Sequence, residues 1–548
     1  MNILCARRAA ARSRQVLGGS SVLNYMISTR GHPEDYDRWA RLGATGWDWA
    51  SVRPYFLRME DMAVPEQAAD AGHHSAGGPV TITHVPYRSE PARAFVRAGG
   101  DLGYPSAPER DYNGNSMIGF SFLQVTMRNG SRWSSNRAYL EPARHRPNLH
   151  VSTLSRVTRV IVDPATMTAV GVEYLRDGEP WSRVVRARRE VILAAGAINS
   201  PQLLMLSGIG PRQHLQSVGV PALVDLPVGE NLMDHVAAGG VVFTLGGRPG
   251  LAVSIDSVLD DPDVMGEYAR HRSGPMTIPG GAEAIGFLRL GSGNASASGR
   301  YGYGEWPNVE LLFASSSVLV EPTLQGSFGI SDALWSAVYK PYLGTPSCTV
   351  FPMLLRPRSR GRVRLRSRSP AAKPLIYHEY FSAPGDLDTL VDGVLAAQRL
   401  LQTPSMKAVE ARIFDVPLPA CAHLRFGTRG YWRCHIRQLP QTIYHQSGTC
   451  RMGDPRHKDS VVDPRLRVIG ILGLRVADAS VMPDIPAAHT NTPTYMIAER
   501  AADLIKQDHG LELELEVPPA LAPAASLLRE GGGHHQVDLA DNQNSIAS

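Results

Sequence analysis

The sequence predicts an α/β protein, on two observations that share one pattern. Glu190-Val191-Ile192-Leu193-Ala194-Ala195-Gly196-Ala197 is a short apolar run ending at glycine, the pattern of a buried strand entering a tight turn. Ser200-Pro201 then offers an N-cap and a first-position proline for a helix from Gln202 to Leu206. The order recurs near the other end of the chain. Leu474 to Ser480 reads as a strand that ends in Asp478 at a turn, and Thr492-Pro493 caps a helix through about Lys506. Met496, Ile497, Ala501, Leu504 and Ile505 form that helix's apolar stripe.

At 548 residues the chain exceeds what one compact core normally supports, so two domains or one elaborated domain are expected. Hydrophobic residues at 43% and charged residues at 20% are ordinary for a globular protein. A formal charge of +5 is small for this size and does not argue for nucleic acid or a membrane surface, so no nucleic-acid partner is expected. No run of about 18 apolar residues is present, so no membrane span is expected. Met1 to Arg8 lacks the apolar segment of a secretory signal. Cys5, Cys348, Cys421, Cys434 and Cys450 are an odd set with no CxxC pair, which speaks against zinc. Cys421 and Cys434 are either a local disulfide or buried free thiols.

In chain order, Val16-Leu17-Gly18-Gly19-Ser20-Ser21-Val22-Leu23-Asn24 comes first, a run with little side-chain bulk that can approach a ligand or simply turn. His150 to Ser152, Val157 to Val162 and Val170 to Leu175 carry strand composition, with Asp163-Pro164 as punctuation. Gly291 to Gly304 is a Gly/Ser-rich loop holding a formal glycosylation acceptor at Asn294. Arginines at 360, 362, 364, 366 and 368 alternate with other residues, as in a strand with one solvated basic face. From residue 508 to 548 the composition predicts a disordered tail.

The candidate chemistry lies in the last third. His445 stands ahead of a small-residue turn, Gln446-Ser447-Gly448-Thr449, and His489 stands just before the helix that follows Asn491-Thr492. Oxidising an alcohol by hydride transfer requires a base for the hydroxyl proton, a role suited to imidazole near neutral pH. Among 18 histidines, most serve structure, so the two candidates rest on their surroundings.

Five blocks, in order, resemble the glucose–methanol–choline oxidoreductase family. They are VLGGSSVLNYM at 16–26 with Arg30-Gly31, AAGAINSPQLLMLSGIGP at 194–211, GENLMDH at 229–235, HQSGTCRMG at 445–453, and GLRVADASVMP with its helix at 473–506. The intervening wording is most similar to the insect glucose-dehydrogenase-like branch. The resemblance implies an FAD-binding Rossmann-like domain of discontinuous segments (1–45, 149–235 and 450–507) and a substrate-binding domain with an antiparallel sheet (46–148 and 236–449). It implies His445 as the base that takes the alcohol proton while hydride goes to flavin N5, with His489 orienting the substrate oxygen. It places Gly18, Gly19, Ser20, Ser21 and Asn24 against the isoalloxazine and pyrophosphate, Val157 at the adenine, Asp478 and Ala479 at the ribityl or pyrophosphate, and Asn491 and Thr492 at the pyrimidine edge. An alcohol or sugar is the implied substrate, oxygen or a quinone the implied electron acceptor, and an extracellular location the family's usual one.

The family pattern opens with a strand, a G-x-G-x-x-G turn and a helix. Nothing of that kind precedes residue 16, and Gly291-Ser292-Gly293 breaks off at Ser296. The expectation is therefore an N-terminally truncated chain lacking the first βαβ unit. The alternative is a truncated or degenerate non-catalytic paralogue that does not bind FAD. A nicotinamide-dependent dehydrogenase would need the same glycine turn.

Overall fold

The computed structural model describes residues 16–247, 251–291 and 306–511. The expected loop from Gly291 to Gly304 beyond its first residue, almost all of the expected tail and the first 15 residues lie outside them. Helices and several sheets alternate along the chain, as an α/β protein requires. Among the described residues no helix is long and apolar enough to cross a membrane.

The largest sheet has eight strands and is antiparallel throughout. Its central path runs Val242–Thr244, Ser347–Leu354, Val309–Ala314, Ala282–Leu288 and Gly119–Phe122. Successive side chains of a strand point to opposite faces. Val309, Leu311 and Phe313 accordingly join a core with Phe95 of the helix Glu90–Asp101 and Leu390 and Val394 of the helix Asp386–Leu400. Leu312 points the other way, into a second core with Met26, Ile27, Met353 and Ala487. Glu310, two residues before Leu312 and paired with Met353, shares that second face.

Val191–Leu193 is a strand, paired in parallel with Leu474–Val476. It alternates rather than being buried throughout: Val191 and Leu193 enter the core while Ile192 is 44% exposed. Both following helices begin earlier than the sequence suggests. The first spans Gly196–Leu206, so Ser200 and Pro201 lie inside it rather than at its start. Proline there removes the donor for the Ala197 carbonyl, and the Thr449 hydroxyl supplies one at 2.6 Å. The second spans Asn491–Asp508 with Thr490, not Thr492, at its N-cap. Pro493 still falls in the first turn, where its missing N–H has no partner to lose. At the far end, Asp508 is anchored by Arg475 and Arg465 at 2.5 Å each, so order extends past the expected start of the tail.

The hairpin Ser155–Asp163 and Thr168–Arg176 forms as expected, its turn held by Asp163 accepting from the Ala165 N–H and the Thr166 hydroxyl. His150 to Ser152 is not strand, because the ladder begins only after Leu154, whose φ is +53°. The basic stretch shortens to a strand at Arg362–Arg364, where Val363 and Leu365 are buried and Arg360 pairs with Asp484 at 2.7 Å. Cys421 and Cys434 are joined as a disulfide, linking the turn Pro419–Cys421 to the helix Arg429–Gln438. The helix Trp49–Met59, expected in the substrate-binding part, shares a core with Val191, Leu474 and the helix Asn491–Asp508.

Candidate active site

His445 and His489 meet, although 44 residues separate them in the chain: their rings lie 4.7 Å apart, nearly perpendicular. Two further residues complete the group. Nδ1 of His445 is 2.9 Å from Nδ1 of His235, and Nε2 of His489 donates to the buried Glu310 carboxylate at 2.9 Å. His235 reaches onward, donating from Nε2 to the Leu355 carbonyl at 2.9 Å. The sequence reading named neither His235 nor Glu310 as a site residue. Each had a signal: His235 closes the GENLMDH block, and Glu310 is a carboxylate inside the apolar strand Val309–Ala314.

Each side chain is held from its backbone. Asp234 accepts the His445 N–H at 2.9 Å, the Thr442 hydroxyl at 2.6 Å, the Gln446 amide at 3.1 Å and the Tyr380 hydroxyl. Burial still pushes the Asp234 carboxyl upward, only partly offset by His378 and these donors. The His489 N–H donates to Thr29 Oγ1 at 2.6 Å, and Asp35 accepts the Ala487 N–H at 3.0 Å. Thus the segment Met26–Arg30 cradles the loop that carries His489.

Burial makes the site disfavour cations. Burial, with His489 and His235 beside it, holds His445 well below the ordinary imidazole value. His235 is pushed down to about 3 by burial and by His489, against the carbonyls of Leu355 and Pro486. Both rings are therefore neutral at physiological pH. A neutral buried imidazole with a free ring nitrogen can accept a proton.

The remaining expected site residues separate into two groups. Gly18 and Gly19 have φ of +94° and +55° and open the short turn Gly19–Val22, with Ser20 on the surface. Ser21 donates to the Gly18 carbonyl and accepts from the Ser135 N–H, while Asn24 accepts from Met26 N–H and Arg132. Thr492 lies against Ser28, hydroxyl to hydroxyl at 3.2 Å, bringing the first segment onto the helix start beside His489. Asp478 uses its carboxylate within the chain, accepting from Gly196 N–H, Ser200 hydroxyl and Ser480 N–H, with Ala479 half-buried next to it. Val157 sits in the hairpin sheet, opposite Tyr174, and has no described contact with the histidines.

This antiparallel sheet facing a βα unit across paired histidines is that of a flavoenzyme acting on alcohols, and the chain belongs to the GMC oxidoreductase family. The family's two models match residues 4–237 and 357–498. The chain is 35% identical to glucose dehydrogenase [FAD, quinone] of Drosophila pseudoobscura pseudoobscura over 507 residues, covering 91% of this chain and 75% of that protein. It is 34% identical to ecdysone oxidase of Bombyx mori, covering 91% and 70%. Among solved structures, a formate oxidase of Aspergillus oryzae RIB40 superposes with a TM-score of 0.75 at 28% identity, over 90% of this chain and 84% of that one.

The residues present fit the flavin end of FAD on three counts. Asn491 Nδ2, at the start of the helix beside His489, is buried without a hydrogen-bond partner. Gly19 and Gly196 both have open space where a Cβ would stand, and Ala194 and Ala195 beyond the strand end are exposed. The helix Asn491–Asp508 points the positive end of its dipole at this same region.

Proposed function

We propose that this chain oxidises a small alcohol or sugar through FAD, with His445 as general base. The supporting observation is the neutral, buried His445 held 4.7 Å from His489 at the start of a helix whose first side chain has an unmet hydrogen bond. FAD bound there supplies the acceptor for the hydride that leaves the carbinol carbon. His445 takes the hydroxyl proton on Nε2, a nitrogen with no hydrogen-bond partner among the described residues. His489, fixed by Glu310 and Thr29, orients the substrate oxygen. The Glu310 carboxylate accepts from His489, whose ring stands beside that of His445. Gly18, Gly19, Ser20, Ser21, Asn24, Val157, Asp478, Ala479, Asn491 and Thr492 are the proposed cofactor contacts. The segments 1–45, 149–235 and 450–507 form the FAD-binding part in this reading, and 46–148 with 236–449 the substrate-binding part. Oxygen or a quinone is the proposed electron acceptor.

The test is anaerobic reduction of the FAD-loaded chain by an alcohol panel, followed by absorbance. His445→Ala should lower the reduction rate by roughly 10²- to 10⁴-fold, with flavin still bound after desalting. Reduction at an unchanged rate would remove His445 from the base role. A chain that retains no flavin through desalting supports the non-catalytic alternative instead.

A further inference from the structure

The GENLMDH block ends in a histidine that the mechanism above does not use, and its geometry gives it a task. We infer that His235 is a positioning residue that fixes the tautomer of His445, leaving Nε2 of His445 unprotonated and available to the substrate hydroxyl. The inference rests on His445 being the base.

The argument follows the protons along one chain of atoms. The Leu355 carbonyl can only accept, so the His235 nitrogen 2.9 Å from it, Nε2, carries a hydrogen. A neutral imidazole has one N–H, which makes Nδ1 of His235 an acceptor. Nδ1 of His445, 2.9 Å away, must then be the donor. With its single hydrogen placed on Nδ1, His445 presents a lone pair at Nε2. The partner nitrogen of a ring fixed by its other nitrogen is a recurring device at histidine sites.

The surroundings leave this arrangement little freedom. His235 is fully buried, and its ring stands at 76° to that of His445 with centroids 5.1 Å apart. Its neighbour Asp234 holds the His445 backbone N–H at 2.9 Å, so one dipeptide secures both the main chain and the ring. The strand Val236–Ala238 begins immediately after and pairs with both Ser347–Leu354 and Pro440–Thr442, which fixes the dipeptide between the segments that carry Leu355 and His445. A carboxylate in place of His235 would draw His445 toward the cation. An imidazole holds the ring without charging it, which suits a group that must start neutral.

The first measurement is the ring ¹⁵N spectrum of the full chain labelled in histidine, with His445 assigned by the resonances lost in His445→Asn. A protonated Nδ1 and an unprotonated Nε2 on His445 are expected, and a protonated Nε2 overturns the inference. In the FAD-loaded chain, His235→Leu should lower kcat by about 10- to 100-fold with KM and flavin binding unchanged. His235→Gln, whose amide oxygen can accept from Nδ1, should restore most of that rate. Equal losses in the Leu and Gln variants, or none in the Leu variant, overturn it. Should His445→Ala reduce flavin at the full rate, the base assignment fails while the tautomer spectrum still stands or falls by itself.

Discussion

Two buried histidine clusters sit in this molecule, and they are built to opposite ends. In one, His74 is clamped between carboxylates: Glu60 on Nδ1 at 3.1 Å and Asp111 on Nε2 at 2.9 Å, with Arg30 on Glu60 at 2.5 Å. Burial opposes a charge on His74, yet the hydrogen bonds to Asp111 and Glu60 raise it above the ordinary imidazole value. Burial likewise works against Glu60 and Asp111, but Arg30 and His74 hold Glu60, and His74 with Gln124 and the Asn113 N–H hold Asp111, below the ordinary carboxylate range. In the other, His445 faces two imidazoles and His235 faces a carbonyl, and both rings are held neutral. Burial is similar in the two. What differs is whether the ring's own nitrogens meet carboxylates or neutral groups, and that decides between a structural cation and a base.

The comparison can be broken first at its structural end. His74→Ala leaves Asp111 without its ring partner and Glu60 with Arg30 but no imidazole, and should cost about 1 to 3 kcal/mol of unfolding free energy, read by urea denaturation. Flavin reduction per folded molecule should be unchanged, and a matching loss of rate would show that the clusters are not separate in function. At the other end, Glu310→Gln removes the carboxylate bonded to His489 at nearly constant shape. It should slow flavin reduction by about 10- to 100-fold while the urea midpoint hardly moves.

The smallest effect is one of sign. His74 has a folded value above its unfolded value of 6.5, so its stabilisation is complete below pH 6.5 and is lost as pH rises through the folded value. The stability gap between the chain and His74→Ala should therefore narrow as pH rises above 6.5. His235 and His445 have folded values below 6.5, so the unfolded chain binds their protons first and they destabilise the fold as pH falls below 6.5. The gap between the chain and His235→Leu should move in that acid range instead. Movement of both gaps in the same range would contradict the contrast.

The two clusters also differ in how far they could be seen in the sequence. His445 and His489 stood out because each sits in a recognisable block beside a turn or a helix start. His235 lay in such a block too, but its task depends on the Leu355 carbonyl and on a ring 210 residues away. The His74 cluster draws on residues 30, 60, 74 and 111 at no regular spacing, so nothing local announces it. The strand–turn–helix units at 190–206 and 474–508 were legible because apolar periodicity and glycine act locally. The first helix start was misplaced because Pro201 is tolerated inside the helix for a tertiary reason, Thr449 donating to Ala197, and the second because proline loses nothing anywhere in a first turn. The pairing of Gly119–Phe122 with Ala282–Leu288 is set by burial on two faces, which no single segment encodes.

The cradle around His489 also has a consequence for how the protein is made. Thr29 accepts from the His489 N–H across 460 residues, and Ser28 meets Thr492 across 464. At about 5 to 20 residues per second of translation, roughly 25 to 90 s separate the emergence of the first partner from that of the second. Throughout that interval Tyr36, Trp39 and Trp47, all fully buried in the finished molecule, lack the C-terminal residues that cover them. The nascent chain must be kept from sticking to itself or its neighbours until the helix Asn491–Asp508 leaves the ribosome, so the active site closes only then.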